Sequence, residues 1–219
     1  EKDNLRKRLE REKNDYFQFA LSDVLKEFLA YKLYEIFSPY HYQSRLVYMD
    51  FTEVKGKRDR QHDLLGILLE DHGSMAKRMD GKRVKRNMPP QMQDAEASIQ
   101  NNMFQYAIGN TDFSIRRQHN QKLYYIQGKY LSIPYDFDMC GLVNAPYATV
   151  SNTQTLDCEP FDVTERCYKG YARDTALVQQ VRRQFLEAKP RAMQTLKSLE
   201  PYFKDDQQYK VAENYLESF

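Results

Sequence analysis

The chain has 219 residues, with 33 basic and 31 acidic side chains, and its net charge of +2 is too small to predict a nucleic-acid partner, which would need a concentrated basic surface. No apolar run approaches the roughly 20 residues that cross a bilayer, so no membrane-spanning segment is expected and the chain reads as soluble. The length suits one domain with a real core, or two small lobes.

Cys140, Cys158 and Cys167 are odd in number and lack metal-ligand spacing, and the histidines are scattered, so structural zinc is not expected. Three free thiols in a reducing compartment are the default expectation, with a disulfide between two of them as the open alternative. No signal peptide is visible. The first residue is Glu rather than Met, which predicts that an upstream part has been removed, with which a secretory leader could have gone, and leaves the compartment open.

Residues 1–14 mix charges around Leu5 and Leu9, four apart, as a solvated helix does. From Asp15 to Phe37, Leu21, Val24, Leu25, Phe28 and Tyr31 fall at helical spacing and predict one buried stripe, stopped by Ser38-Pro39. Residues 43–51 and 64–69 read as antiparallel strands joined by a charged loop over 52–63. Lys77, Arg78, Lys82, Arg83, Lys85 and Arg86 then gather positive charge, read first as solvated surface and second as a dock for a phosphate or an acidic protein. After the Pro89-Pro90 loop, residues 94–108 predict a helix ended by Gly109. The stretch from 141 to 160, rich in Asn, Thr, Ser and Pro, reads as a long irregular loop. Three helices follow, over 175–188, 190–199 and 205–219.

Between the 94–108 helix and that loop lies the segment around which the chain is organised. Residues 122–126 and 129–133 are rich in aromatic and branched side chains, and the Gln127-Gly128 break between them predicts a β-hairpin. Asp112 and Asn120 precede its first strand and Asp136 follows its second, so the fold-back brings all three to one end. Two carboxylates and an amide oxygen there would suit Mg²⁺, with its usual company of waters and substrate phosphates, and hence a nucleotide.

Ile108-Gly109-Asn110-Thr111-Asp112-Phe113-Ser114, His119-Asn120 and the run from Pro134-Tyr135-Asp136-Phe137-Asp138 to Val143 resemble the spore-coat protein H (CotH) kinase-like family. Segments around Glu27, Arg45, Leu68 and Cys167 extend the likeness over most of the chain. The resemblance implies an α+β, protein-kinase-like fold: a truncated small lobe over 1–72, with a helix and antiparallel strands, followed by a mainly helical large lobe over 73–219. It also implies ATP and Mg²⁺ as cofactors and a protein substrate. Asp112 would orient or deprotonate the acceptor. Asn120 and Asp136 would hold metal, with Asp138 as a second or supporting carboxylate. Glu27 would pair with a strand lysine on the nucleotide phosphates, and Glu70 would sit where the chain crosses between lobes beside the base.

Asp112 and Asn120 are eight residues apart where the usual kinase catalytic loop has five, and Asp-Phe-Asp stands in place of Asp-Phe-Gly. Nothing before Glu27 supplies a lysine strand or a glycine-rich phosphate loop. Two alternatives therefore stand beside the transferase: a non-catalytic pseudokinase-type binding module, and ATP-dependent amino-acid ligation on a kinase-like fold.

Overall fold

The computed structural model describes residues 15–56, 58–151, 158 and 160–219. The helix expected over 1–14 lies outside the described residues. Helix α1 (Asp15–Phe37) runs 23 residues without Gly or Pro and ends where Pro39 disfavours helical geometry at Ser38. Its burial is wider than one stripe. Leu25, Leu29 and Leu33 are sealed on one line, and Phe28, Ala30, Tyr31 and Tyr34 on the flanks. The reason is position: strands cover one side of α1 and two helices another.

Strands β1 (Ser44–Lys55) and β2 (Arg58–Leu69) form an antiparallel ribbon, paired from Ser44 with Leu69 to Lys55 with Arg58. The charged loop expected over 52–63 is therefore mostly strand. Its polar residues hid the strand because the far half of the ribbon is solvated on both faces, so no apolar alternation marks it. Asp71 caps the short helix α2 (His72–Arg78), its Oδ1 accepting from the N–H groups of Gly73 and Ser74. The basic run that follows supplies β3 (Gly81–Val84), which was not expected as a strand. It is the edge of a three-stranded antiparallel sheet, where exposed Lys and Arg are well tolerated.

The rest of that sheet is the expected hairpin, β4 (Gln121–Ile126) and β5 (Lys129–Pro134). Gln127 and Gly128 both take positive φ, the backbone of a type I′ turn. Helix α3 (Ala95–Ala107) starts at the Asp94 cap and ends before Gly109, whose φ is +65°. Helix α4 (Thr175–Leu199) is continuous, not the two helices expected, and contains Pro190. An interior proline costs about 3 kcal/mol, but Val181, Phe185, Ala192 and Leu196 on both sides of it are anchored in the core. Helix α5 (Asp206–Glu217) completes the chain from its Asp205 cap.

The molecule is thus a mixed α+β structure, with antiparallel sheets in the N-terminal half and helices toward the C-terminus. One hydrophobic core runs through it. Phe137 packs edge-on to Tyr31 at 4.8 Å and to Phe104 at 5.5 Å, and Phe37 stacks on Phe185 at 4.1 Å, so α1, α3, α4 and the segment after β5 share it. Cys158 and Cys167 form a disulfide, which corrects the expectation of three free thiols, while Cys140 is free and fully buried. Sequence spacing carries no pairing information for three cysteines; the path of the chain decides it. Among the described residues no helix is long and apolar enough to cross a membrane.

Candidate active site

The open end of the β4–β5 hairpin joins two loops. Asn120, just before β4, offers its carbonyl to the N–H of Tyr135, just after β5, at 3.0 Å. Gly141 N–H donates to Gly109 O and Leu142 N–H to Ile108 O, so the segment after β5 is laced to the end of α3. The lacing requires glycine: a Cβ on Gly109 would stand 2.0 Å from the Tyr215 hydroxyl, and one on Gly141 would stand 2.4 Å from the Val163 carbonyl.

Asp112 is fixed from several directions. The side chain of Asn110 accepts from its N–H at 2.8 Å, a local turn that the Asn-Thr-Asp sequence favours. Asn120 Nδ2 donates to both its carbonyl and its carboxylate Oδ2, each at 2.9 Å, and His119 Nε2 lies 3.0 Å from Oδ1. With both amide hydrogens engaged, Asn120 has only its carbonyl oxygen left to offer a ligand. Asn120 and Asp136 adopt left-handed backbone, φ +49° and +64°. Asn and Asp accept that region most readily, and such conformations gather at functional sites.

Asp136 N–H donates to the Tyr31 hydroxyl at 2.8 Å, which ties the segment to α1. One α1 turn earlier, Glu27 faces the same segment. Its carboxyl is pushed up to about 7 by burial first, then by Asp138 and Asp136, against the opposing pull of the Phe137 N–H. Asp136 is pushed up to about 6 by removal from bulk water, then by Asp138 and, further off, Asp112. Asp138 accepts from the Tyr147 hydroxyl at 3.0 Å. Three carboxyl groups from two distant parts of the chain thus crowd one place, beside the His119–Asp112–Asn120 group. The raised affinity of Glu27 and Asp136 for protons marks a site where a cation would relieve repulsion.

Of the residues expected from sequence, Asp112, Asn120, Asp136, Asp138 and Glu27 come together. Glu70 does not join them. Its two oxygens accept from Arg78 Nε and Nη2, at 2.9 and 2.7 Å, and one also takes the Gln43 N–H. Among the described residues Glu27 has no lysine or arginine partner; it faces carboxylates instead.

Sequence reasoning missed three contributors. Tyr31 was expected only as core. His119 was noted solely beside Asn120, although a histidine seven residues from an aspartate in a loop is a usable signal. Lys169 lay in the segment around Cys167 that resembles the family, with no role assigned to it. It is buried, and its Nζ donates to Thr111 O at 2.5 Å and lies 3.5 Å from Phe113 O, gripping the backbone on both sides of Asp112. Burial lowers its pKa to about 8, opposed by the nearby Asp112 carboxylate.

Among the described residues no group of three or more His, Cys, Asp and Glu side chains is spaced to hold a metal ion alone. Mg²⁺ asks for less, often one or two carboxylates with waters and substrate phosphates. Asp136, Asp138 and the Asn120 carbonyl oxygen fit that smaller donor set.

No protein-family model, curated protein or solved structure matches the chain.

Proposed function

We propose that this protein is an ATP- and Mg²⁺-dependent phosphotransferase of the kinase-like type, acting on a protein hydroxyl. The observation that carries the reading is the meeting of Glu27, Asp136 and Asp138 with the His119–Asp112–Asn120 group across the open end of one hairpin. The order of these residues in the chain, and their likeness to the spore-coat protein H kinase-like family, support the same reading. So does the order of α1, a strand pair, then a helix before the Asp112 loop, which is the sequence of parts in a two-lobed kinase.

Asp112 would orient the acceptor hydroxyl and accept its proton at a carboxylate oxygen. His119, on Oδ1, and Asn120, on Oδ2, hold that carboxylate in one rotamer, and Lys169 and Asn110 hold its backbone. Asp136 and Asn120 would hold Mg²⁺, with Asp138 supporting. When bound, the ion supplies charge neutralisation for the phosphates, the main requirement of phosphoryl transfer beyond positioning.

The test is a pair of near-isosteric variants assayed for ATP turnover and for Mg²⁺–ATP binding by calorimetry. Asp136→Asn should lose both, because an amide no longer offsets the cation's charge. Asp112→Asn should keep binding while turnover falls about 10²–10⁴-fold, the usual effect of losing a positioned base. Full turnover in Asp112→Asn would sink the assignment. A second reading, a pseudokinase-type binding module, is favoured by Glu27 facing carboxylates where a lysine partner is required, and it predicts nucleotide binding with no turnover in wild type.

A further inference from the structure

A second cluster of chemistry lies on the β3–β4–β5 sheet and has the opposite sign. In the β3–β4–β5 sheet, Arg83 pairs across the ladder with Tyr124, and Lys122, two residues before Tyr124, shares the same face. Lys122 Nζ donates to the Tyr135 hydroxyl and lies 4.7 Å from that ring's centre. His72, at the start of α2, closes the group. Its ring is 5.3 Å from the Tyr135 ring, and its Nδ1 is 2.9 Å from the Tyr42 hydroxyl, which in turn meets the Tyr124 hydroxyl at 2.7 Å. Tyr42 and Tyr124 are sealed in the core, so the hydroxyl relay under His72 is fixed.

Three basic groups therefore face one another over an aromatic floor. Arg83 and Lys122 both lower the pKa of His72, in addition to burial, which places all three within electrostatic reach. Among the described residues no carboxylate forms an ion pair with Arg83 or Lys122. Among the described residues Asp71 is the acidic group acting on His72, and its Oδ1 accepts from two backbone N–H groups of α2. The positive charges of Arg83 and Lys122 repel each other, a cost in free energy that an anion would relieve, and the His72 ring can donate a hydrogen bond to it. The place is specific: Lys122 is two residues after Asn120, and Tyr135 immediately precedes Asp136.

We propose that Arg83, Lys122 and His72 form an anion subsite for the phosphate groups of a nucleotide, holding them next to the Asp136–Asp138 carboxylates without needing a metal. The naming of a nucleotide rests on the phosphotransferase reading; the anion subsite itself does not. With no lysine or arginine paired to Glu27 among the described residues, these cations of the three-stranded sheet would do the work of gripping phosphate. Arg83 offers a bidentate fork, and Lys122 a single charge steadied by Tyr135.

Calorimetry in EDTA with pyrophosphate and with ADP as probes tests this. Wild type should bind both without metal. Arg83→Met and Lys122→Met should each weaken pyrophosphate about tenfold or more, as expected for losing one charge-assisted contact, and Lys122→Arg should restore most of it. Asp136→Asn should bind pyrophosphate at least as well as wild type, because it removes a repelling charge. The His72 ring proton signals should shift on adding pyrophosphate, a readout that does not depend on any variant folding. Absence of metal-free binding in wild type, or equal binding in wild type and the two Met variants, would overturn the proposal. So would an acidic peptide that binds at these residues while pyrophosphate fails to displace it. Should the subsite hold while Mg²⁺–ATP turnover is absent, only the phosphotransferase reading falls; should turnover survive intact in both Met variants, only the subsite falls.

Discussion

The chain contains two antiparallel hairpins that differ in what they are built against. The β1–β2 ribbon has twelve residues per strand, and its far half is solvated on both faces, with Val54 76% exposed and Phe51 54% exposed. The β4–β5 hairpin has six per strand, and Leu123, Tyr124, Ile126, Leu131 and Ile133 are all sealed. The candidate site sits at the open end of the second. Backbone pairing alone aligns two strands, but side chains at a strand end stay fixed only when the strands are locked by packing on both faces. The ribbon uses only its near half, where Tyr48, Leu65 and Ile67 meet the core.

The largest effect that could break this contrast comes from a core truncation. Ile133→Ala, one residue before the end of β5, should cost about 2–5 kcal/mol in urea unfolding. It should also disturb Asp136, since β5 delivers that residue. A cost below about 1 kcal/mol would mean that the hairpin is not the rigid base of the site.

A second effect sharpens the comparison through pH. Glu27 and Asp136 hold their protons to about 7 and about 6, above the ordinary carboxyl value, so the folded state binds more protons than the unfolded one across that window. The contribution of these groups is present below the ordinary carboxyl range and is lost as pH rises through 6 to 7. Glu27→Gln should therefore melt progressively higher than wild type as pH goes from 4.5 to 8. A melting difference that stays constant over that range would show that Glu27 does not feel the carboxylates. Mg²⁺ with ATP should raise the wild-type melting temperature more at pH 8 than at pH 5, because protons and cation compete for the same oxygens.

The smallest effect belongs to the ribbon tip. Val54→Ser should change stability by no more than about 0.5 kcal/mol, as expected of an exposed residue with no special role. A larger loss would mean that the tip is packed against something in solution, and the contrast between the hairpins would fail there.

Much of this could be read directly from the residues. The Gln127-Gly128 turn and the Gly109 and Ser38-Pro39 stops are local signals, and the elements they bound lie where those signals put them. Where local signals were silent or misleading, the reading failed. Arg58 to Asp63 looked like a loop because solvated strand carries no apolar alternation. Pro190 looked like a break because propensity was weighed without the core contacts on either side of it.

By itself, the sequence determined that the β4–β5 hairpin folds back and brings Asn120 and Asp136 to its open end, because one two-residue turn fixes the register of the strands between them. Only the tertiary structure decided what surrounds them. Tyr31 reaches Asp136 across 105 residues of chain, Lys169 reaches Thr111 across 58, and Cys158 chooses Cys167 over Cys140. Periodicity and turn chemistry act over a few residues. Such distant partners are set by which faces of α1 and of the segment after Gly141 are driven into a shared core, and that depends on the whole chain at once.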